Sequence, residues 1–135
     1  MKNKFGFILV NPQLGENIGA CARSMKNFNF KKLNIVSPKF AFPNHKTKVT
    51  SVGAYDIINS AKVFKDIEEA INEFDIVISL SARRRDINKK HISFEDLKNI
   101  LIKRATAKFG FMFGPESSGL TNKDISLSNF ILQIP

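Results

Sequence analysis

A chain of 135 residues has the size of one domain, and a hydrophobic content of 43% is enough to give it a core. Lys and Arg number 21 against 12 Asp and Glu; the net charge of +9 favours a polyanionic partner, nucleic acid first, although solubility alone could account for it. No apolar run is long enough for a membrane span, and the single cysteine, Cys21, excludes an intrachain disulfide and suits a reducing cytoplasm.

Short apolar runs alternate with helical patterns along the chain. Phe5–Val10 reads as a buried strand. Ile18–Phe28 carries Ile18, Cys21, Ala22, Met25 and Phe28 on one helical face, and Asn17 can cap that helix. Leu33–Val36 is a second strand, stopped by Ser37-Pro38. Lys39–Lys48 reads as a polar loop, Val49–Asn59 as a short helix and Ala61–Phe64 as a short strand. Asp66 and Glu69 form a capping-box pattern opening a helix to Phe74, and Asp75–Leu80 is a buried strand. Ser81–His91 is a strongly basic loop. Ser93 caps a helix running to about Arg104, Phe109–Phe113 is a further buried strand, and Thr121 caps a short turn. Phe130–Ile134 is the last strand. Phe occurs 13 times and has no polar handle, so most of that aromatic mass must serve packing.

Strands separated by helices imply an α/β fold, a mostly parallel sheet covered by helices on both faces. Ligands in such sheets sit at the carboxyl ends of strands. Three residue clusters fall there. In the first, Asn11-Pro-Gln-Leu-Gly-Glu-Asn17 precedes Ile-Gly-Ala-Cys-Ala-Arg23; spacing leaves open whether Arg23 faces the loop or solvent. In the second, Ser79-Leu-Ser-Ala-Arg-Arg-Arg85 runs off a strand. Ser81 and the backbone beside it can meet a small ligand there, and Arg83, Arg84 and Arg85 form either a solvated run or a set of phosphate forks. In the third, Phe113-Gly-Pro-Glu-Ser-Ser-Gly-Leu-Thr-Asn122, a capped turn accounts for Gly119 and Thr121 but not for Glu116. Gly114 and Gly119 there let the backbone approach a ligand or cross another segment. No dinucleotide or Walker glycine fingerprint is present, and Cys21, His45 and His91 make no metal-ligand pair.

In this order, the clusters resemble the SpoU (TrmH-like) branch of the SPOUT RNA methyltransferases. Asn17-Ile-Gly-Ala-Cys-Ala-Arg-Ser-Met-Lys-Asn-Phe28 matches the first motif of that family and Phe113–Asn122 the second. Leu9-Val10-Asn11-Pro12 and Ser81-Ala82-Arg83 look most like the TrmJ type, which methylates ribose in the tRNA anticodon loop. The resemblance covers the whole chain, residues 1–135, as one domain. It implies a knotted α/β fold, S-adenosylmethionine as methyl donor, RNA ribose 2′-O-methylation and a homodimer. It places Leu80, Ser81, Ala82, Gly114 and Ile134 at the cofactor, and Asn17, Arg23 and Glu116 in the catalytic site. RNA would meet Arg83, Arg84, Arg85, Lys46 and Lys48 through its backbone. The family's third motif and last helix would follow Pro135. Without them cofactor binding is expected to be weak, and whether the knot closes and the chain turns over stays open. A ribosomal RNA substrate, or a non-catalytic RNA-binding role on the same fold, are the alternatives.

Overall fold

A computed structural model describes residues 4–134; Met1–Asn3 and Pro135 lie outside the described residues. In chain order the elements are β1 (Phe5–Val10), α1 (Gly15–Asn27), β2 (Lys32–Val36), α2 (His45–Thr50), α3 (Tyr55–Ser60), β3 (Lys62–Phe64), α4 (Ile67–Ile71), β4 (Ile76–Ser81), β5 (His91–Ile92), α5 (Phe94–Lys103), β6 (Phe109–Phe113), α6 (Asn122–Ile125) and β7 (Phe130–Gln133). The strands form one sheet in the order β3-β2-β1-β6-β4-β7-β5, and every neighbouring pair is parallel. The α/β expectation holds.

Alternation along each strand sorts side chains onto two faces. Odd-numbered residues of β1 and β6 share a face because Phe7 pairs with Phe111 and Leu9 with Phe113. There Ile18, Ala22 and Met25 of α1 and Ile57 and Ile58 of α3 pack on Leu33 and Ile35. Farther along the same face, Leu97, Ile100 and Leu101 of α5 lie on Ile76, Ile78 and Leu132. Between the two helix groups runs a phenylalanine ladder. Phe7 stacks on Phe111 and Phe113 at centroid distances of 5.8 and 6.3 Å, and Phe5 meets Phe30 edge-on at 5.8 Å. The opposite face carries Ile8, Val77, Met112 and Ile131 under Ile67 and Ala70 of α4 and Ile125 of α6.

Several local expectations are corrected. The single helix expected over Val49–Asn59 is two helices, broken at Gly53, whose φ of +84° a helix cannot accommodate. Its first part begins inside the expected polar loop, because the Asn44 side chain accepts the Thr47 N–H and caps α2. The first helix starts at Gly15, so Asn17 lies within its first turn and is not the cap. Helix α4 ends at Ile71, which frees Phe74 to cover Gly6 and Gly110 on neighbouring strands. The two-residue β5 escaped the sequence reading because two residues carry no periodicity. Among the described residues no helix is long and apolar enough to cross a membrane.

Candidate active site

Because β1, β6 and β4 are adjacent in the sheet, the loops that leave their carboxyl ends are neighbours. The first of them turns at Asn11, which takes a left-handed φ of +49°. Asn11 N–H donates to Val36 O at 2.8 Å and its side-chain amide to Ser37 O at 3.2 Å, tying the ends of β1 and β2 together. The chain then reaches α1 through Leu14, which has no side-chain polar group to satisfy the exposed first-turn amides.

Glu116 reaches the segment that leads into α1 from about a hundred residues away. Its carboxylate accepts Gln13 N–H at 2.9 Å, Leu14 N–H at 3.0 Å and the Asn17 side-chain amide at 3.0 Å. In return, the Gln13 side-chain oxygen accepts Ser117 N–H at 3.0 Å and Ser117 O–H at 2.8 Å. A negative charge at the positive end of α1 is electrostatically favourable. Partial burial works against ionisation of Glu116, but the hydrogen bonds from Gln13, Asn17 and Leu14 outweigh it and hold its pKa below the ordinary glutamate value. This clasp supplies the role for Glu116 that a capped turn alone could not. Gln13 and Ser117 were missed by sequence reasoning, since nothing local links two polar residues 104 positions apart.

Gly114 is required by its own chain. A Cβ there would run into the backbone of Gly119 and Leu120, so the loop can cross itself only over a glycine. Beside the crossing, a recess of about 350 Å³ is lined by Leu9, Pro12, Asn17, Cys21, Phe113 and Gly114, with Glu116 at its edge. Burial pushes the Cys21 thiol up to about 11, which keeps it protonated and unreactive at neutral pH. Arg23 is exposed on the flank of α1 and is not part of the recess wall.

The loop after β4 is organised differently. Ser81 is buried; its hydroxyl donates to Arg83 O at 2.7 Å and accepts Arg85 Nε at 3.0 Å. The Ser81 carbonyl accepts Ile134 N–H at 2.9 Å. The Ser81 hydroxyl and carbonyl thus each make hydrogen bonds within the protein. Leu80 and Ile134 are half-buried against the core, and Ala82 is exposed. Ala82, Ser93, Phe94, Gln133 and Ile134 line a second recess of about 380 Å³ over the ends of β4, β7 and β5. Gly114 lines the first recess, and Ala82 and Ile134 line the second, at the ends of strands that are neighbours in the sheet.

Arg83 and Arg84 are exposed at this rim. Arg85 is only 6% exposed, so its assignment as an RNA-backbone contact is corrected: hydrogen bonds to Ser81 and Asn122 turn its guanidinium inward. On the far side of α1, Lys46 and Lys48 project from α2 into solvent, with Lys46 3.6 Å from Glu16.

The chain matches the SpoU rRNA Methylase family over residues 4–135. It is 34% identical over 131 residues to the tRNA (cytidine-2′-O-)-methyltransferase TrmJ of Methanocaldococcus jannaschii, an alignment covering 95% of this chain and 56% of that protein. It is 31% identical to the tRNA (cytidine/uridine/adenosine-2′-O-)-methyltransferase TrmJ of Pseudomonas aeruginosa, covering 100% of this chain and 53% of that one. The crystal structure of TrmJ from Z. mobilis ZM4 superposes with a TM-score of 0.88 at 34% identity, covering 96% of this chain and 58% of that chain. The SpoU methyltransferase AviRb from Streptomyces viridochromogenes, solved with AdoMet, shares the fold at a TM-score of 0.73 and 15% identity, over 100% of this chain and 52% of its own. The chain spans about half the length of the curated relatives it matches. With its parallel sheet, its two motif loops clasped through Glu116 and this match along its length, the chain belongs to the SpoU methylase family.

Proposed function

We propose that this chain is the catalytic domain of a tRNA ribose 2′-O-methyltransferase that uses S-adenosylmethionine. The observation that carries the reading is the clasp of Glu116 on Gln13, Leu14 and Asn17, which brings both family motifs to one edge of the sheet. The relatives named as tRNA 2′-O-methyltransferases support the choice of substrate.

The residues beside β7 fit an adenosyl group. Phe94 is 59% exposed, an uncovered apolar ring next to Ile134 and Ala82, and Ser93 and Gln133 supply polar edges. Bound S-adenosylmethionine would bring a methyl group already made electrophilic by its sulfonium. The protein's work is then to align the ribose and stabilise charge developing on its 2′-oxygen. Arg23 is exposed on α1 and has no ion-pair partner among the described residues, so its charge is available to that oxygen or to a substrate phosphate. Guanidinium groups hold their protons too tightly to serve as proton acceptors near neutral pH, so Arg23 acts as an electrostatic stabiliser. Glu116 holds Asn17 and the start of α1 so that Arg23 is presented from a fixed helix.

Incubation with labelled S-adenosylmethionine and bulk tRNA, followed by mass-spectrometric mapping of 2′-O-methyl nucleosides, tests the reading. Methyl transfer to tRNA is expected from the full-length protein that carries this domain. Transfer to ribosomal RNA alone, or RNA binding without transfer, overturns it. In the same assay Arg23→Lys should lower turnover about a hundredfold while cofactor affinity, measured by calorimetry, stays unchanged. Full turnover by that variant would remove Arg23 from the mechanism.

A further inference from the structure

Arg85 is the most deeply buried charged side chain among the described residues, and no carboxylate lies within ion-pair distance of it there. A buried cation without a carboxylate is costly unless its donors are hydrogen-bonded, and two of the Arg85 guanidinium nitrogens are. Its hydrogen bonds join two loops that lie far apart in sequence. Nε donates to Ser81 Oγ at 3.0 Å, at the end of β4. One terminal nitrogen donates to Asn122 Oδ1 at 3.3 Å, at the start of α6. The other lies against Gly119, where an added Cβ would come within 3.4 Å of it. The backbone N–H of Arg85 donates to His91 Nε2 at 3.1 Å, which closes the 81–91 loop on itself.

We propose that Arg85 is a positioning residue. Its guanidinium bridges Ser81 and Asn122 and so sets the loop at the adenosyl recess in one register with the Gly114–Asn122 loop that carries Glu116. A planar fork with separate donors can span both partners at once, which a single ammonium cannot do. The inference rests on the functional reading above for what the two loops bind, and on the geometry alone for the bridge itself.

Amide hydrogen exchange on the cofactor-free protein tests the bridge. In Arg85→Gln, residues 81–91 and 114–122 are expected to exchange faster together. Asn122→Ala, a change at an exposed position that leaves the core intact, should loosen the same two segments, and the double variant should be no worse than Arg85→Gln alone. Arg85→Lys should resemble Arg85→Gln. Calorimetry with S-adenosylmethionine should show affinity falling roughly tenfold in Arg85→Gln, the loss expected for a hydrogen bond to a charged group. Unchanged exchange in 114–122 when Arg85 is replaced, or full recovery by lysine, overturns the bridge. Equal cofactor affinity in wild type and Arg85→Gln overturns the positioning role while leaving the functional reading intact. A wild-type protein that binds no S-adenosylmethionine overturns the functional reading, and the exchange data still judge the bridge.

Discussion

Glu116 shows how one side chain can hold a site together from the opposite end of the sequence. A carboxylate whose pKa is lower in the fold than in the unfolded chain adds stability above its unfolded value, about 4.3 for glutamate. That stability is lost as the pH falls through the lower folded value. Glu116 has its pKa held down in this way, so its contribution should be complete at pH 7 and fade below about pH 4. Its exposure to solvent keeps the effect modest. Glu116→Ala removes the acceptor of the Gln13 and Leu14 amides and of the Asn17 side chain and should cost about 1 kcal/mol at pH 7, the usual net value of a lost hydrogen bond. Urea unfolding at pH 7 and at pH 3 checks this: the gap between variant and wild type should shrink at the lower pH. An equal gap at both would mean that the charge contributes nothing. Glu116 was visible in the sequence as an unexplained carboxylate in a small-residue loop, but its partners were not.

Helix α2 docks on α1 through the small face made by Gly15 and Gly19. At Gly19 an added Cβ would collide with the Thr50 side chain and sit 2.9 Å from Thr47 O, which is backbone and cannot swing aside. Gly19→Ala therefore sets two effects against each other. Alanine is the better helix former by about 1 kcal/mol, while overpacking at a close approach costs about 1–3 kcal/mol. The collision should win, and the urea midpoint of Gly19→Ala should fall. A raised midpoint would show that α2 is free to move away. The same packing explains why the helix expected over Val49–Asn59 was misjudged. The pull of Asn44 on Thr47 and the break at Gly53 make two short helices, and the first is held by α1 more than by its own propensity. In contrast, α5 and α6 were read correctly because Ser93 with Asp96, and Thr121 with Asp124, form capping boxes within four residues.

For the molecule as a whole, the net charge of +9 is spread unevenly in usefulness. Arg83 and Arg84 are exposed at the strand-end rim, while Arg85, next in the chain, is committed inside. If RNA crosses that rim, the logarithm of affinity should fall linearly with the logarithm of salt concentration. Replacing Arg83 and Arg84 by alanine should lower the slope by about one for each phosphate that is no longer neutralised. Filter binding across a salt series measures it, and an unchanged slope would remove these arginines from the RNA surface. The alternation of strands and helices, the phenylalanine-rich core and the two family motifs could be read from the residues alone, because periodicity, caps and contiguous motifs are local properties of the chain. It took the folded chain to reveal that Asn17 serves Glu116 and does not cap its helix, that Gly114 makes room for its own backbone, that the Ser81 hydroxyl bonds Arg85, and that Arg85 turns inward while its neighbours face water. Each of those depends on which distant segments the order β1-β6-β4 sets side by side, and sequence spacing carries no record of such adjacency.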